Sequence, residues 1–127
     1  MPLVRIAVHN SRSAAQVKAI SESVYTSMIE TINVPKDDNF QIITKHDSTE
    51  LIFDPGYLGV QRSEGFINIQ IFLSQGRTVE MKKALYKAIA EKIHASAGVR
   101  QEDIFIGLVE VVKESWSFGN GIAQYAQ

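Results

Sequence analysis

The stretch FINIQIFLSQGRTVEMKKAL (residues 66–85) decides the fold, because it repeats the pattern of MPLVRIAVHNSRSAAQVKAI (residues 1–20) 65 positions later. At this offset Arg12 aligns with Arg77, and Ser13 aligns with Thr78. The same register continues through the pairs Lys18/Lys83, Ala19/Ala84, Val34/Val99, Asp38/Asp103 and Phe40/Phe105. The sequence therefore predicts two copies of one structural unit.

Each copy begins with a strand that leads into a helix. Leu3 to Val8 places Val4, Ile6 and Val8 on one face, which is typical of a half-buried strand, and residues 66–73 are its more apolar counterpart. Ser13 and Thr78 follow as N-caps, since a hydroxyl can accept a hydrogen bond from an unpaired amide of the first helical turn.

Each helix is predicted to end at the same point of the repeat. Asn33 and Gly98 tolerate the left-handed conformation that closes a helix. Second strands follow over Phe40 to Thr44 and Ile104 to Val112. A strand–helix–strand unit predicts parallel pairing with a right-handed crossover.

The fold class is therefore α/β (α+β), a tandem β-α-β repeat that forms a four-stranded sheet with two helices on one face. We expect a single domain over residues 1–127, with halves at about 2–53 and 66–112 and a tail at 113–127. Helices on one face leave the other face of an apolar sheet to be covered, and the simplest cover is a second copy. A homo-oligomer is expected.

Composition removes several classes of function. The net charge of -1 argues against a nucleic-acid partner, and the absence of cysteine excludes disulfides and thiolate chemistry. No apolar run is long enough to span a membrane, and the first residues lack the pattern of a signal peptide, so a cytoplasmic protein without a membrane partner is expected. His9, His46 and His94 are not spaced as metal ligands, so no metal site is predicted.

Pro2 is a candidate catalytic group because of its position. Removal of the initiator Met1 would leave a secondary amine at the start of a core strand. Burial would favour the neutral, basic form of that amine, whereas nearby carboxylates would hold it cationic. The alternative is that Pro2 only begins an edge strand, where a missing amide hydrogen is harmless. If Met1 is retained, the Pro2 nitrogen is a non-basic amide.

Arg77 and Asp38 are the other candidates for chemistry. Arg77 lies in the turn Ser74-Gln75-Gly76-Arg77-Thr78, where a guanidinium, backbone amides and a helix N-terminus can converge on a carboxylate. Asp38 precedes a strand, a position that suits a functional carboxylate or a turn-forming one. Their repeat mates Arg12 and Asp103 leave a structural role open for either residue.

Trp116 and Phe118 are large aromatic residues in a polar, turn-rich tail. They can fill the core of their own subunit. Alternatively, they can line a small apolar pocket against a neighbouring chain, where they would desolvate an ionisable group.

Together, Pro2, the duplicated unit, the Gln75-Gly76-Arg77-Thr78 turn and the Trp116-Ser117-Phe118-Gly119 tail resemble the tautomerase superfamily, and within it the malonate semialdehyde decarboxylases. The likeness spans essentially the whole chain. It implies a homotrimer whose sheets form an inner barrel flanked by helices. It also implies no metal or organic cofactor.

The resemblance also implies roles for particular residues. Pro2 matches the catalytic proline, Asp38 the carboxylate that assists it, and Arg77 the arginine that binds the substrate carboxylate. Trp116, Phe118 and Tyr125 match positions that shape the pocket wall. The sequence departs from the family in having Gln75 where many members have a first arginine of the turn, so Gln75 would offer the substrate a hydrogen bond without a charge.

The implied reaction is decarboxylation of a small 3-oxo acid held by Arg77, with Pro2 polarising the carbonyl or forming an iminium. The same groups with a neutral Pro2 would tautomerise a 2-oxo acid of the phenylpyruvate type. A third activity that the same groups could catalyse is hydration of a small unsaturated acid. From another class, a non-catalytic oligomeric binding protein would keep the fold and lose the chemistry.

Overall fold

The structure is a computed structural model that describes residues 2–127. Met1, on which the free-amine hypothesis for Pro2 depends, lies outside the described residues. The principal elements follow the predicted order: β1 (Pro2–His9), α1 (Ala14–Ile32), β2 (Gln41–His46), β3 (Ile67–Ser74), α2 (Val79–Ala97) and β4 (Ile104–Val111). The predicted tandem β-α-β arrangement is confirmed.

The helix ends form as the cap residues predict. The Ser13 hydroxyl accepts from the Gln16 amide at 3.1 Å, while the Gln16 side chain accepts from the Ser13 amide at 3.0 Å. Thr78 accepts from the Met81 amide at 3.2 Å. Asn33 and Gly98 end the two helices with φ values of 59° and 69°, in the left-handed region.

The sheet has the strand order β2-β1-β3-β4. Strand β1 pairs in parallel with β2, β3 pairs in parallel with β4, and the two halves meet along the antiparallel β1/β3 pair. Val4 lies opposite Gln41 in the first half, and their mates Ile69 and Ile106 lie opposite each other in the second. The two halves therefore share one register and are related by an approximate two-fold axis.

The core lies between the sheet and the two helices. One alternating set of strand side chains, including Val4, Ile6 and Ile69, is almost completely buried against Met28 of α1 and Leu85 of α2. Burying a side chain of this size contributes about 1.5–3 kcal/mol, so this layer is the main source of stability. The alternation of β1 and β3 thus fixes which side chains face the helices.

The other face of the sheet is mixed in character. Arg5 and Gln70 lie opposite each other at its centre and are exposed, whereas Phe72 is half-buried and Ile42 and Phe105 are exposed. In the single chain the sheet is open, with β2 and β4 as its edges, and does not close into a barrel. Across residues 2–127, no helix combines the length and hydropathy needed to cross a bilayer.

All four strands differ slightly from their predicted bounds: β3 is shifted by one residue from 66–73, and β4 ends one residue before Val112. β1 begins at Pro2 rather than Leu3, because its antiparallel pairing with β3 extends to the Pro2/Leu73 pair. β2 runs from Gln41 to His46 and so lies later than the predicted 40–44, because its parallel register with β1 continues to His9/His46. Alternation identifies the face of a strand but not the last residue that finds a partner.

Candidate active site

Pro2 lies at one end of the sheet, in the wall of a small pocket. It is buried and is the first residue of β1, opposite Leu73 of β3. The pocket, called here the Pro2 pocket, has a volume of about 220 Å³ and is lined by Pro2, Leu3, Phe40, Trp116, Ser117 and Phe118. A group at the Pro2 nitrogen would therefore work beside largely apolar walls, where burial favours the neutral form of an amine.

The tail supplies the aromatic wall of this pocket. The rings of Trp116 and Phe118 stack with centroids 5.4 Å apart, and Tyr125 meets Phe118 edge-on at 4.7 Å. Gln124 holds the tail closed, because its side-chain oxygen accepts from the Phe118 amide at 2.9 Å and its nitrogen donates to the Gly119 carbonyl at 3.0 Å. The sequence left open whether Trp116 and Phe118 fill the core or line a pocket. In the structure they are half-buried in a pocket wall and are not part of the main core.

Arg77 is anchored at the end of β3. Its Nη1 donates to the Ser74 carbonyl at 2.9 Å, and its Nη2 donates to the Ile32 carbonyl at 3.4 Å. Gly76, with a φ of 123°, makes the turn that brings the guanidinium back towards the strand end. The half-buried guanidinium is thus held at the end of β3, where Leu73 pairs with Pro2 of β1.

Asp38 lies in the turn after α1, and its amide donates to the Pro35 carbonyl at 3.1 Å. Its Oδ1 atom is buried. Burial raises the pKa of the Asp38 carboxyl and Asp37 acts in the same direction, while the positive charge of Arg77 opposes the rise. Asp38 and Arg77, predicted separately from the sequence, therefore interact electrostatically.

Two other predicted residues, Gln75 and Tyr125, do not line the Pro2 pocket themselves. Gln75 is exposed, its backbone amide donates to the Val111 carbonyl at 3.0 Å, and its side chain is not part of the lining of the Pro2 pocket in the single chain. Tyr125 reaches the pocket through its contact with Phe118. Pro2, Trp116 and Phe118 share the pocket, and Asp38 and Arg77 lie at the same end of the sheet.

Three residues of this region were not singled out from the sequence. Leu3 and Phe40 line the pocket, and Ser74 joins Arg77 to the tail, since its hydroxyl accepts from Trp116 Nε1 at 3.1 Å. Leu3 lies in the strand set that faces away from the helices, which is a signal that the sequence contained. The role of Ser74 depends on a contact between residues 42 positions apart, which strand and turn patterns do not report.

The part of the chain that the structure describes contains no cluster of three or more His, Asp or Glu side chains suited to a metal ion. Two of the histidines make hydrogen-bond contacts: His94 Nδ1 lies 2.9 Å from the Val99 carbonyl, and His9 lies within hydrogen-bond distance of Ser11 and Ser48.

Comparison with known proteins agrees with this fold. Two family profiles, each described as tautomerase enzyme, match residues 38–119 and residues 2–61. The chain therefore belongs to the tautomerase superfamily of enzymes. It is 48% identical over 124 residues to the probable tautomerase YusQ of Bacillus subtilis (strain 168), which covers 98% of each chain.

Solved structures give the same assignment. FG41 malonate semialdehyde decarboxylase, in a crystal structure inhibited by 3-bromopropiolate, superposes with a TM-score of 0.90 at 40% identity, covering 97% of this chain and 93% of that one. A fused 4-OT that forms a symmetric trimer superposes with a TM-score of 0.80 at 23% identity, covering 98% of both chains, which shows a shared fold.

Proposed function

We propose that this protein decarboxylates a small 3-oxo acid of the malonate semialdehyde type, with Pro2, Arg77 and Asp38 as catalytic residues and Trp116, Phe118 and Tyr125 shaping the pocket. The observation that carries the proposal is the burial of Pro2 in a pocket walled by Trp116 and Phe118. Its support is the 40% identity to FG41 malonate semialdehyde decarboxylase over nearly the whole chain.

Arg77 binds the substrate carboxylate in this proposal. Its guanidinium is fixed by the Ser74 and Ile32 carbonyls, so little further ordering is needed when substrate arrives. A planar guanidinium can offer two parallel donors to a carboxylate, which orients the bond that breaks. Gln75, which is exposed two residues before Arg77 in the chain, supplies at most an uncharged donor.

Pro2 acts on the carbonyl once Met1 has been removed and its nitrogen is a free amine. As a cation it donates a hydrogen bond to the aldehyde oxygen. The bond between the substrate carboxylate and its neighbouring carbon breaks, carbon dioxide leaves, and the electron pair forms an enolate that the Pro2 cation stabilises. The Pro2 cation then gives its proton to the enolate carbon, which yields acetaldehyde, and solvent returns a proton to the amine. The negative charge of Asp38 favours the cationic form of the amine.

A tautomerase activity is the second candidate, because the relative YusQ is a probable tautomerase and is 48% identical to this chain. With a neutral Pro2, the amine would take a proton from the hydroxyl of an enol such as enol-phenylpyruvate and return one to carbon. Hydration of a small unsaturated acid would use the same anchored guanidinium. The charge state of the Pro2 amine at neutral pH separates these activities.

We also infer that the working form is a homotrimer. The uncovered sheet face with exposed Ile42 and Phe105 supports this, as does the trimeric state of the fused 4-OT with the same fold. Analytical ultracentrifugation of the full chain is expected to give a mass of three copies, and a monomer at micromolar concentration would overturn the inference.

The deciding experiment measures carbon dioxide release from malonate semialdehyde and ketonisation of enol-phenylpyruvate in one preparation whose Met1 removal has been verified by mass spectrometry. We expect faster turnover of malonate semialdehyde. Pro2→Ala and Arg77→Ala should each lower it by about 10²–10⁴-fold. Dominant ketonisation would establish the tautomerase instead, and no turnover of either compound by processed, folded protein would favour the binding protein.

A further inference from the structure

The duplicated fold contains a second pocket at the opposite end of the sheet. This groove, called here the Phe105 groove, has a volume of about 480 Å³ and includes Leu51, Ile52, Phe53, Asn68 and Phe105 in its lining. The 65-residue offset relates each of these residues to one that lines the Pro2 pocket: Trp116, Ser117, Phe118, Leu3 and Phe40, in the same order. The groove is therefore the pseudo-symmetric twin of the Pro2 pocket.

The twin has lost the catalytic amine. Ile67 takes the place of Pro2 and is joined by a peptide bond to Phe66, so its nitrogen has no basicity. The Phe66 ring is buried, stacks on Phe53 at a centroid distance of 5.3 Å and lies 6.0 Å from Phe105. An aromatic side chain thus lies where the first site would have its free amino terminus.

The repeat mates of Arg77 and Asp38 contact the connection between the two halves. Asp103, whose side chain is 2% exposed, accepts from the Ser63 amide at 2.7 Å and the Ser63 hydroxyl at 2.6 Å. Arg12, the mate of Arg77, donates to the Gly65 carbonyl at 2.6 Å. The connection between the two halves therefore occupies the repeat mates of the proposed catalytic pair.

The remaining charges in the groove disfavour anions. Glu50 and Asp54 contribute carboxylates to the wall, against the single guanidinium of Arg62. Arg62 Nη1 already donates to the carbonyls of Asp54, Tyr57 and Val60 at 3.1–3.3 Å. A ligand carboxylate would meet two wall carboxylates against one guanidinium, whereas an uncharged aromatic ring would meet Phe53, Phe66 and Phe105.

From these observations we propose that the Phe105 groove is a second, non-catalytic binding site that takes a small uncharged aromatic molecule and rejects the carboxylates bound at the Pro2 pocket. The site depends on the geometry of the repeat and goes beyond the proposed reaction. Its selectivity arises because the wall has two carboxylates against one guanidinium while the aromatic residues remain.

The test titrates the full-length protein with benzyl alcohol and, as a matched anionic probe, benzoate, and follows backbone amides by two-dimensional NMR. Benzyl alcohol should shift the amides of Phe53, Asn68 and Phe105 with a roughly millimolar dissociation constant. Benzoate should bind there at least about tenfold more weakly, because its charge is not compensated. Shifts at Leu3 and Ser117 report on the Pro2 pocket and are analysed separately.

Two matched variants locate the site. Phe105→Ala removes a wall residue of the groove and should weaken benzyl alcohol binding by about fivefold or more. Phe40→Ala, the same change at the repeat mate, should leave binding in the groove unchanged. Circular dichroism verifies that both variants are folded.

Equal binding of benzoate and benzyl alcohol in the groove would overturn the proposal, as would the absence of shifts at all three groove amides, which would be the result if a neighbouring copy covers the groove. Neither result bears on the Pro2 pocket. Conversely, a protein that binds benzyl alcohol in the groove but turns over no oxo acid would refute the proposed function and leave the second site standing.

Discussion

Trp116 and Ser74 connect the carboxy-terminal tail to the sheet: the indole Nε1 donates to the Ser74 hydroxyl at 3.1 Å, while the Ser74 carbonyl accepts from Arg77 at 2.9 Å. One residue at the end of β3 therefore positions both the aromatic wall and the guanidinium. The preceding residue, Leu73, pairs with Pro2 on the neighbouring strand β1. The relative placement of the wall, the cation and the proposed catalytic proline depends on this strand end.

Ser74→Ala is expected to loosen the tail while leaving Arg77 in place, because Arg77 binds the backbone carbonyl and Trp116 binds the side chain. Loss of one hydrogen bond should lower the free energy of unfolding by about 1 kcal/mol, measured by urea denaturation. The KM for malonate semialdehyde should rise several-fold. Ser74→Thr keeps the hydroxyl and should restore most of the KM; failure of the threonine variant to differ from the alanine variant would count against the hydrogen bond.

Arg77→Lys should separate charge from geometry at the proposed substrate site. Lysine keeps the positive charge but loses the planar fork that reaches the Ser74 and Ile32 carbonyls. We expect kcat/KM to fall by about 10–100-fold, mainly through KM, as measured by steady-state kinetics. Arg12→Lys is the control at the repeat mate and should affect stability more than kinetics. An Arg77→Lys enzyme with wild-type kcat/KM would contradict a two-point hold on the substrate.

Asp38→Asn should change how stability depends on pH. The pKa of Asp38 is raised in the folded state, chiefly by burial, so the folded state binds more protons than the unfolded state just above the ordinary aspartate pKa. Wild-type stability should therefore fall as pH rises from the unfolded-state pKa through the folded-state pKa of this group.

Asparagine does not titrate, so Asp38→Asn should not lose this stability as the pH rises. The difference in unfolding midpoint, variant minus wild type, should therefore be more positive at pH 7 than at pH 3. Thermal unfolding midpoints of both proteins at the two pH values measure the effect. Asp37→Asn, at the exposed neighbouring position, is the control and should show a smaller difference. A stabilisation of Asp38→Asn that is greater at pH 3 would show that the pKa is lowered instead. Turnover by Asp38→Asn should be reduced even where its stability is increased.

Gly65→Ala should destabilise the connection between the repeats. A Cβ at this position would lie 3.0 Å from Asp103 Oδ2 and 3.2 Å from Arg12 Nη2, both of which are held by hydrogen bonds. We expect a loss of about 1–3 kcal/mol in the free energy of unfolding, measured by chemical denaturation. Gly56→Ala is the matched control in the same connection, since a Cβ there meets nothing within 4 Å. Equal stability of the two variants would mean that the side chains of Asp103 and Arg12 move aside without loss of free energy of unfolding, and would contradict the prediction.

The repeat explains why so much of the fold was accessible from the sequence. Ser13 and Thr78 each have a hydroxyl three residues before the amide they cap, and Asn33 and Gly98 close the helices in the left-handed conformation. These are local effects, because the interacting groups are only a few residues apart. The alternation of apolar residues in β1 and β3 likewise identified the buried face, since side chains alternate along any strand.

The site was only partly accessible in this way. Trp116 and Phe118 could be recognised as aromatic residues in need of burial, but the sequence left open where they were buried. Asp38 and Arg77 each had a repeat mate, and nothing in the local pattern indicated which member of each pair was tied down. Asp103 and Arg12 are the members bound to the connection at Ser63 and Gly65.

The amino-acid sequence by itself determined the duplicated β-α-β units, their helix ends and the face of each strand that meets the helices, because periodicity and capping act over a few residues. The tertiary structure alone decided that the strand end at Ser74 joins the tail to Arg77, and that one end of the sheet carries Pro2 while the other has Phe66 stacked on Phe53. These arrangements depend on how the two halves meet along β1 and β3. Such a contact joins residues that are distant in the chain, and no local pattern specifies it.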